Sequence, residues 1–219
     1  MIMSKIAEML EKVRSAPTKE YQRVMKEIME EVFKEEFRNV LEKETFGSIV
    51  ELIIEFPEDT FEEFVAKYKD LLNKKIQEAT PSDIGRLYEG ITKNKRKIIS
   101  INFRPTIVKR LASFGLDEIV RMLYNVVPAT RETVLNQYKE IMMRPDFTKK
   151  MLEASIDTLA EFLSLAPSSV RDSLIRRHQD FFTSNEFVEK LKSVGPDERA
   201  MILRWLPENL TRQIVSKLP

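Results

Sequence analysis

The residues best suited to acid–base or metal chemistry begin with a single histidine. His178 lies in the sequence Arg176-Arg177-His178-Gln179-Asp180, and the chain has no other His. A lone His cannot form a two-histidine metal site, and there is no Cys to complete one. A Ser-His-Asp arrangement with Asp172 or Asp180 would need a nucleophile-elbow sequence, which accompanies no serine. We therefore predict a surface or helix-end position for His178, without a catalytic role.

Clustered carboxylates are the second candidate for chemistry. Glu27, Glu31 and Glu35 are spaced four residues apart, so they share one face of a predicted helix. A di-iron bundle would require Glu-x-x-His pairs on facing helices, and His178 cannot supply them. This spacing favours a solvated helix face, interleaved with basic side chains.

Phosphate-binding loops are excluded by glycine content. The chain has five glycines, Gly47, Gly85, Gly90, Gly115 and Gly195, which form neither a Gly-x-Gly-x-x-Gly nor a Walker sequence. Most lie near predicted helix ends, where a left-handed glycine cap is common. We predict no catalytic residues, no bound metal and no cofactor, and therefore no enzymatic activity.

Basic residues are unevenly distributed along the chain. Residues 1–70 carry 11 basic and 17 acidic side chains, residues 71–115 carry 10 and 3, and residues 116–219 carry 15 of each. Clustered positive charge is typical of surfaces that bind nucleic acids or acidic partners. The candidate contacts are Lys93, Lys95, Arg96, Lys97, Arg104, Lys109 and Arg110. An alternative is that this basic belt pairs with the acidic N-terminal third, within one chain or between two.

Composition indicates helices as the elements that carry these residues. Hydrophobic residues make up 42% of the 219 residues and charged residues 32%, with 5 Gly and 10 Pro. Unbranched side chains such as Lys, Glu, Leu and Met favour helix, and no sustained strand-like alternation is present. The chain lacks Cys, a signal-peptide pattern and a membrane-length apolar run, which favours a cytoplasmic protein with a thermophile-like charge content.

Two helices are predicted in the N-terminal region. The first covers residues 4–15, and a second runs from about Lys19 to Glu44 with one wide apolar stripe. A helix of this length would extend about 39 Å. We therefore predict that residues 1–45 form an N-terminal helical pair, which caps the rest of the chain or supports homo-oligomer formation through the long helix.

A repeated pattern follows over residues 46–219. A short apolar helix, a proline and a second amphipathic helix recur around Pro57, Pro128, Pro167 and Pro207. The gaps are 71, 39 and 40 residues, and the wide gap accommodates a degenerate unit at residues 84–93. Proline suits the first turn of a helix because its missing N–H would be unpaired there. The pattern predicts a superhelical, α-solenoid-like stack of two-helix repeats of about 36–40 residues. The alternative is an irregular multi-helix bundle.

The last repeat has a recognisable family pattern in residues 194–219. The matching positions are Pro196, Glu198, Ile202, Leu203, Leu206, Pro207, Leu210, Ile214, Leu218 and Pro219. This segment resembles the right-handed helical repeats of the N domain of MgtE-type magnesium transporters and of the middle domain of flagellar motor switch proteins. The resemblance implies a helical-repeat fold; the transporters' acidic magnesium-binding pattern is not recognisable here.

These observations predict a non-catalytic scaffold or adaptor that presents a surface to another macromolecule, with a protein partner expected and no membrane association. The alternative is a nucleic-acid-binding accessory protein that uses the basic belt. Trp205, the one tryptophan, lies inside the last repeat, where it is either a packing residue or an anchor for a partner.

Overall fold

The computed structural model describes residues 3–219, and over that range the chain is all-α with sixteen helices and no strand. The prediction of an all-α fold is confirmed. The helices are α1 Lys5–Ser15, α2 Tyr21–Val32, α3 Phe37–Lys43, α4 Phe46–Glu55, α5 Glu58–Gln77, α6 Pro81–Gly90, α7 Lys93–Ala112, α8 Leu116–Tyr124, α9 Pro128–Met142, α10 Phe147–Glu153, α11 Ile156–Leu165, α12 Ser168–Arg177, α13 Gln179–Phe182, α14 Asn185–Lys192, α15 Pro196–Leu203 and α16 Glu208–Val215.

The chain divides into two compact units, Met1–Arg110 and Leu111–Pro219. In the first unit α4 packs against both α1 and α6, and in the second α11 packs against both α8 and α15. We call α1, α4, α6, α8, α11 and α15 the lead helices. A segment is a lead helix together with the helices that follow it up to the next lead helix. The predicted domain boundary at residue 45 stays a prediction.

Each lead helix begins with a defined cap. The residues just before them are Ser4, Thr45, Thr80, Gly115, Ser155 and Gly195. The hydroxyl oxygens of the Ser and Thr caps accept hydrogen bonds from amides of the first turn. At the two glycines, the glycine amide instead donates to the carboxylate three residues later, at 2.8 Å in both cases. These caps satisfy amides that have no partner within the helix.

The prolines lie where each lead helix gives way to the next helix. Pro57, Pro167 and Pro207 are the caps of α5, α12 and α16, and Pro128 is the first residue of α9. In the segment of the degenerate unit, a threonine takes this position: the Thr92 hydroxyl accepts a hydrogen bond from the Lys95 amide at 3.4 Å. The predicted pivots therefore coincide with helix starts.

The predicted single helix from Lys19 to Glu44 is wrong. α2 ends at Val32 and α3 begins at Phe37, and the Tyr68 hydroxyl donates to the Val32 carbonyl at 2.5 Å, at the end of α2. The predicted N-terminal helical pair is therefore three helices. The continuous 39 Å helix on which the prediction of self-association depended is not present.

The second helix of the predicted two-helix repeat is also divided in the segments that begin with α8 and α11. α9 is followed by the separate helix α10, and α12 by α13 and α14. α5 is one helix with non-helical backbone angles at Tyr68, and α7 is continuous although it contains Pro105. A lead helix is thus followed by two or more shorter helices in the segments of α1, α8 and α11, and by one helix in the segments of α4, α6 and α15.

The left-handed glycine caps predicted from the sequence are not found. Within the described residues no glycine or other residue has a positive φ. Side chains from later segments bind the carbonyls at helix ends instead. Lys75 Nζ donates to Glu42 O and Glu44 O, Arg110 Nε to Ala79 O, Lys150 Nζ to Ala112 O and Phe114 O, and Lys190 Nζ to Leu152 O. We call these four residues the capping cations; they recur after 35, 40 and 40 residues. A cation at a helix C-terminus also interacts favourably with the helix dipole.

Aromatic side chains fill the core of the first unit around α5. The Phe64 ring is fully buried, and its centroid lies 4.5 Å from that of Phe56, 6.3 Å from that of Phe61 and 5.3 Å from that of Tyr68. These distances are in the favourable range for aromatic pairs. The cluster joins the end of α4 to α5, and Phe33 reaches its edge at 6.2 Å from Phe56.

Glu51 of α4 connects three elements of the first unit. Its carboxylate accepts from Arg86 Nε at 2.8 Å and from Arg14 Nη2 at 3.0 Å, and Arg14 Nε also bonds Glu55 at 3.1 Å. Partial burial acts to raise the pKa of Glu51, but the hydrogen bonds and positive charges of Arg86 and Arg14 outweigh it, so that the pKa lies below its ordinary value of 4.5. An acidic side chain of the N-terminal third thus pairs with Arg86 of the basic segment.

We expect Glu51→Gln to lower the free energy of unfolding by about 1 kcal/mol at pH 7. A carboxylate with a depressed pKa stabilises the fold above its unfolded pKa, and this contribution is lost as the pH falls through the folded value. The difference from wild type should therefore shrink between pH 5 and pH 3, as measured by urea unfolding. Glu62→Gln, at an exposed carboxylate of α5, is the control. An equal difference at pH 7 and pH 3 would refute this account.

Candidate functional site

All seven residues of the predicted basic belt lie on α7. Lys93, Lys97, Arg104 and Lys109 are exposed, whereas the other three are buried or half-buried. The structure therefore separates the belt into a surface group and an internal group. Their side chains have different roles.

Lys95 does not lie on the predicted contact surface. Its side chain is 3% exposed, and its Nζ donates to Ile53 O at 2.9 Å and Ile54 O at 2.8 Å. The ammonium also lies 5.6 Å from the centroid of the Phe61 ring. Burial lowers the pKa of Lys95, although the charges of Glu58 and Glu55 oppose this. Lys95 binds the end of α4 and is not accessible to a phosphate or an acidic partner.

Arg96 and Arg110 also bind backbone inside the first unit. Arg96 Nη2 lies 3.4 Å from Tyr88 O, near the end of α6, and Arg110 Nε donates to Ala79 O at 2.7 Å, beyond the end of α5. Both guanidinium groups are half-buried. Three of the seven residues of the predicted basic belt, Lys95, Arg96 and Arg110, therefore bind carbonyls at or near helix ends.

The exposed residues form a basic face on α7. Lys93, Lys97 and Arg104 lie within about 40° of one another around an ideal helix, and Lys109 lies about 160° from Lys93. Ile101, which is 71% exposed, lies beside this face. We use the name α7 basic face for Lys93, Lys97 and Arg104; Lys109 is not part of it.

A second charged surface, which the sequence analysis did not identify, lies in the second unit. A groove of about 620 Å³ runs between α12 and the turn that joins α15 to α16. We call it the arginine groove, because Arg171, Arg176 and Arg204 line it together with Trp205. Asp172 is its one acidic lining residue, and the apolar side chains of Ile175, Leu206 and Leu210 also contribute.

Two arginines pack against Trp205 in this groove. The Cζ atoms of Arg171 and Arg204 lie 4.6 Å and 5.0 Å from the centroid of the indole ring, within cation–π range. Arg171 Nη1 also donates to Leu163 O at 3.1 Å. The guanidinium groups of Arg176 and Arg204 make no hydrogen bond or ion pair with any part of residues 3–219. Two permanent positive charges therefore remain available in a concave surface.

The sequence contained a weak signal for the arginine groove. Trp205 follows Arg204 directly and precedes the pivot Pro207, and Arg176 lies in the last turn of α12. The groove was missed because its two sides are about 30 residues apart in the chain. Periodicity within one helix cannot show which side chains of two helices converge.

His178 has the helix-end role predicted for it, but it is not on the surface. The residue follows α12, is 4% exposed, and its Nε2 lies 2.6 Å from Met142 O at the end of α9. It takes the same role at α9 that Tyr68 takes at α2. Its ring is thus engaged with the backbone.

Residues 3–219 contain neither a metal-binding cluster nor a membrane-spanning helix. Those residues include no group of three or more His, Cys, Asp or Glu side chains arranged to hold a metal ion. No helix among them is both long and apolar enough to cross a membrane.

The chain matches no protein-family model, no curated protein and no solved structure. The α7 basic face and the arginine groove are thus the two candidate sites, and both have the chemistry to bind anionic groups.

Proposed function

We propose that the chain is a non-catalytic helical scaffold or adaptor, in which each unit is a superhelical, α-solenoid-like stack of repeats. The observation that carries this proposal is the recurrence of the capping cations at Lys75, Arg110, Lys150 and Lys190. Contacts that repeat every 35 to 40 residues are typical of repeats that each pack on their neighbours, and such stacks offer extended binding surfaces.

The distribution of polar groups supports the same function. The buried polar and charged side chains include Lys75, Lys95 and His178, and each of these binds backbone carbonyls of another segment. These buried polar side chains thus connect one segment to another. Many other charged side chains, such as Lys93 and Arg176, are exposed, where they are available to a partner.

The proposal is tested by identifying a protein partner and measuring the binary interaction. Proteins recovered from an extract of the source organism would be purified and titrated against the chain by isothermal calorimetry. We expect at least one to bind saturably with a Kd of about 10 µM or tighter, the range of ordinary protein recognition. If no purified candidate binds saturably, the scaffold proposal fails.

The α7 basic face supports a second candidate function, that of a nucleic-acid-binding accessory protein. Lys93 and Lys97 are both exposed and lie about one helical turn apart, so both ammonium groups can contact phosphates. In titrations with short DNA and RNA at several salt concentrations, replacing both lysines by alanine should reduce the slope of log affinity against log salt by about 0.7–0.9 per lost contact. Lys69→Ala with Lys74→Ala, at exposed lysines of α5, is the matched control. Absence of binding at low salt would exclude this function.

A further inference from the structure

We propose that the arginine groove binds an acidic segment of a partner protein, with carboxylates on Arg176 and Arg204 and an apolar side chain between them. This inference rests on the proposed scaffold function and identifies the chemistry of one partner. It is carried by the guanidinium groups of Arg176 and Arg204, which line the groove and have no acceptor among residues 3–219.

Carboxylates match the charge and shape of these groups. Guanidinium stays protonated at every relevant pH and presents paired N–H donors that fit both oxygens of a carboxylate. Arg204 is also held against Trp205, at 5.0 Å from the ring centroid, so less side-chain freedom is lost when it binds. An arginine that is already held in place binds a carboxylate more tightly than a freely moving surface arginine does.

The floor of the groove indicates what lies between the carboxylates. Ile175, Leu206 and Leu210 line it, and each is largely buried within the second unit. The lining amides of Gln179 and Asn209 can donate to and accept from a peptide backbone. A segment with acidic residues on both sides of a leucine or a similar residue satisfies all of these groups.

Two features favour a peptide over a nucleic acid. The guanidinium groups of Arg171 and Arg204 are already packed on Trp205, so the indole is not free to stack on a base. A volume of about 620 Å³ is suited to a few side chains of a peptide.

Trp205 provides a direct readout because it is the chain's one tryptophan. The probe is a capped peptide of sequence Ser-Glu-Leu-Glu-Leu-Glu-Ser, titrated into the full chain at low salt while the Trp fluorescence is recorded. We expect a saturable change, and we expect the same peptide with Gln in place of Glu to bind at least tenfold more weakly. An unchanged spectrum with the acidic peptide would overturn the proposal.

The variant test uses Arg176→Gln, since Arg176 is exposed and outside the Trp205 stack. We expect it to weaken acidic-peptide binding about fivefold to tenfold, as the loss of a charge-assisted pair does. Arg144→Gln, an equal change at an exposed arginine outside the groove, should leave the affinity unchanged. Circular dichroism of both variants establishes that they are folded.

Competition experiments show whether the groove prefers the carboxylates of a peptide or phosphate groups. A single-stranded eight-residue oligothymidylate or inorganic phosphate that displaces the peptide at equal or lower concentration would overturn the peptide assignment. If a purified protein partner binds wild type and Arg176→Gln with the same affinity, the groove proposal fails while the scaffold function stands. Failure of the scaffold function would instead appear as the absence of any protein partner.

Discussion

Replacement of Phe64 by alanine is expected to lower the free energy of unfolding by about 3–5 kcal/mol, the range for large aromatic truncations in a core. Phe64 is fully buried and lies within 6.3 Å, centroid to centroid, of three other aromatic rings. The removed ring leaves a cavity between the end of α4 and α5, and the loss of its neighbours' contacts adds to the transfer cost. Equilibrium unfolding in guanidinium chloride, followed by circular dichroism, measures the change.

Phe33→Ala is the matched control for this core prediction. Phe33 is half-buried and approaches Phe56 at the edge of the same cluster, with a centroid distance of 6.2 Å. The same truncation there removes less buried surface, so we expect a clearly smaller loss of stability. Equal losses for Phe64→Ala and Phe33→Ala would show that the cluster is not the centre of this core.

Lys95→Met is expected to lower the free energy of unfolding by about 2 kcal/mol, because the ammonium donates to two backbone carbonyls. Methionine keeps most of the buried aliphatic stem but leaves Ile53 O and Ile54 O without this donor. The energy regained by no longer burying a charge reduces the net loss, which is why we expect less than for two full hydrogen bonds. The measurement is the same denaturant titration.

Lys97→Met separates the role of Lys95 from a general effect of removing charge. Lys97 is on the same helix, two residues later, and its side chain is exposed. A surface substitution of this kind usually changes stability by no more than about 0.5 kcal/mol. If the two variants are equally stable, Lys95 is not a structural residue, and its assignment to the internal group of the basic belt is wrong.

The sequence was sufficient to predict the helical class and the prolines at which helices begin. Low glycine content and unbranched side chains favour helix locally, and proline marks a helix start through its own covalent geometry. Pro57, Pro167 and Pro207 are therefore found at the starts of helices. These features depend on near neighbours in the chain, which explains why they could be recognised.

The break after Val32 could not be predicted from the same pattern. The apolar residues Val32, Phe33 and Phe37 continue the three-and-four spacing of one helix, so the stripe passes through the interruption unchanged. At the break, the Val32 carbonyl accepts a hydrogen bond from a group 36 residues away, the hydroxyl of Tyr68. Periodicity within one helix carries no information about such a partner.

The spacing of residues in the sequence indicates that Lys95 is buried, but a count of charges does not show this. Lys95, Ile99 and Phe103 follow one another at intervals of four, and Ile99 and Phe103 are fully buried. Lys95 thus belongs to the core face of α7, whereas Lys93 and Lys97 lie on the opposite, exposed side of the helix. A basic cluster is better interpreted by helical register than by its net charge. The arginine groove had no comparable signal, since it depends on the packing of α12 against residues 204–210.

The lysines that bind helix ends have a consequence for chemical labelling. Acylating reagents attack accessible, unprotonated amines, so Lys93 and Lys97 are open to modification while Lys75 and Lys95, at 8% and 3% exposure, are shielded. Once acylated, a lysine can no longer act as a cationic donor to a carbonyl, and its segment cannot close again in the same way. The rate at which Lys75 and Lys95 acquire label under native conditions therefore reports how often neighbouring segments separate in the folded protein.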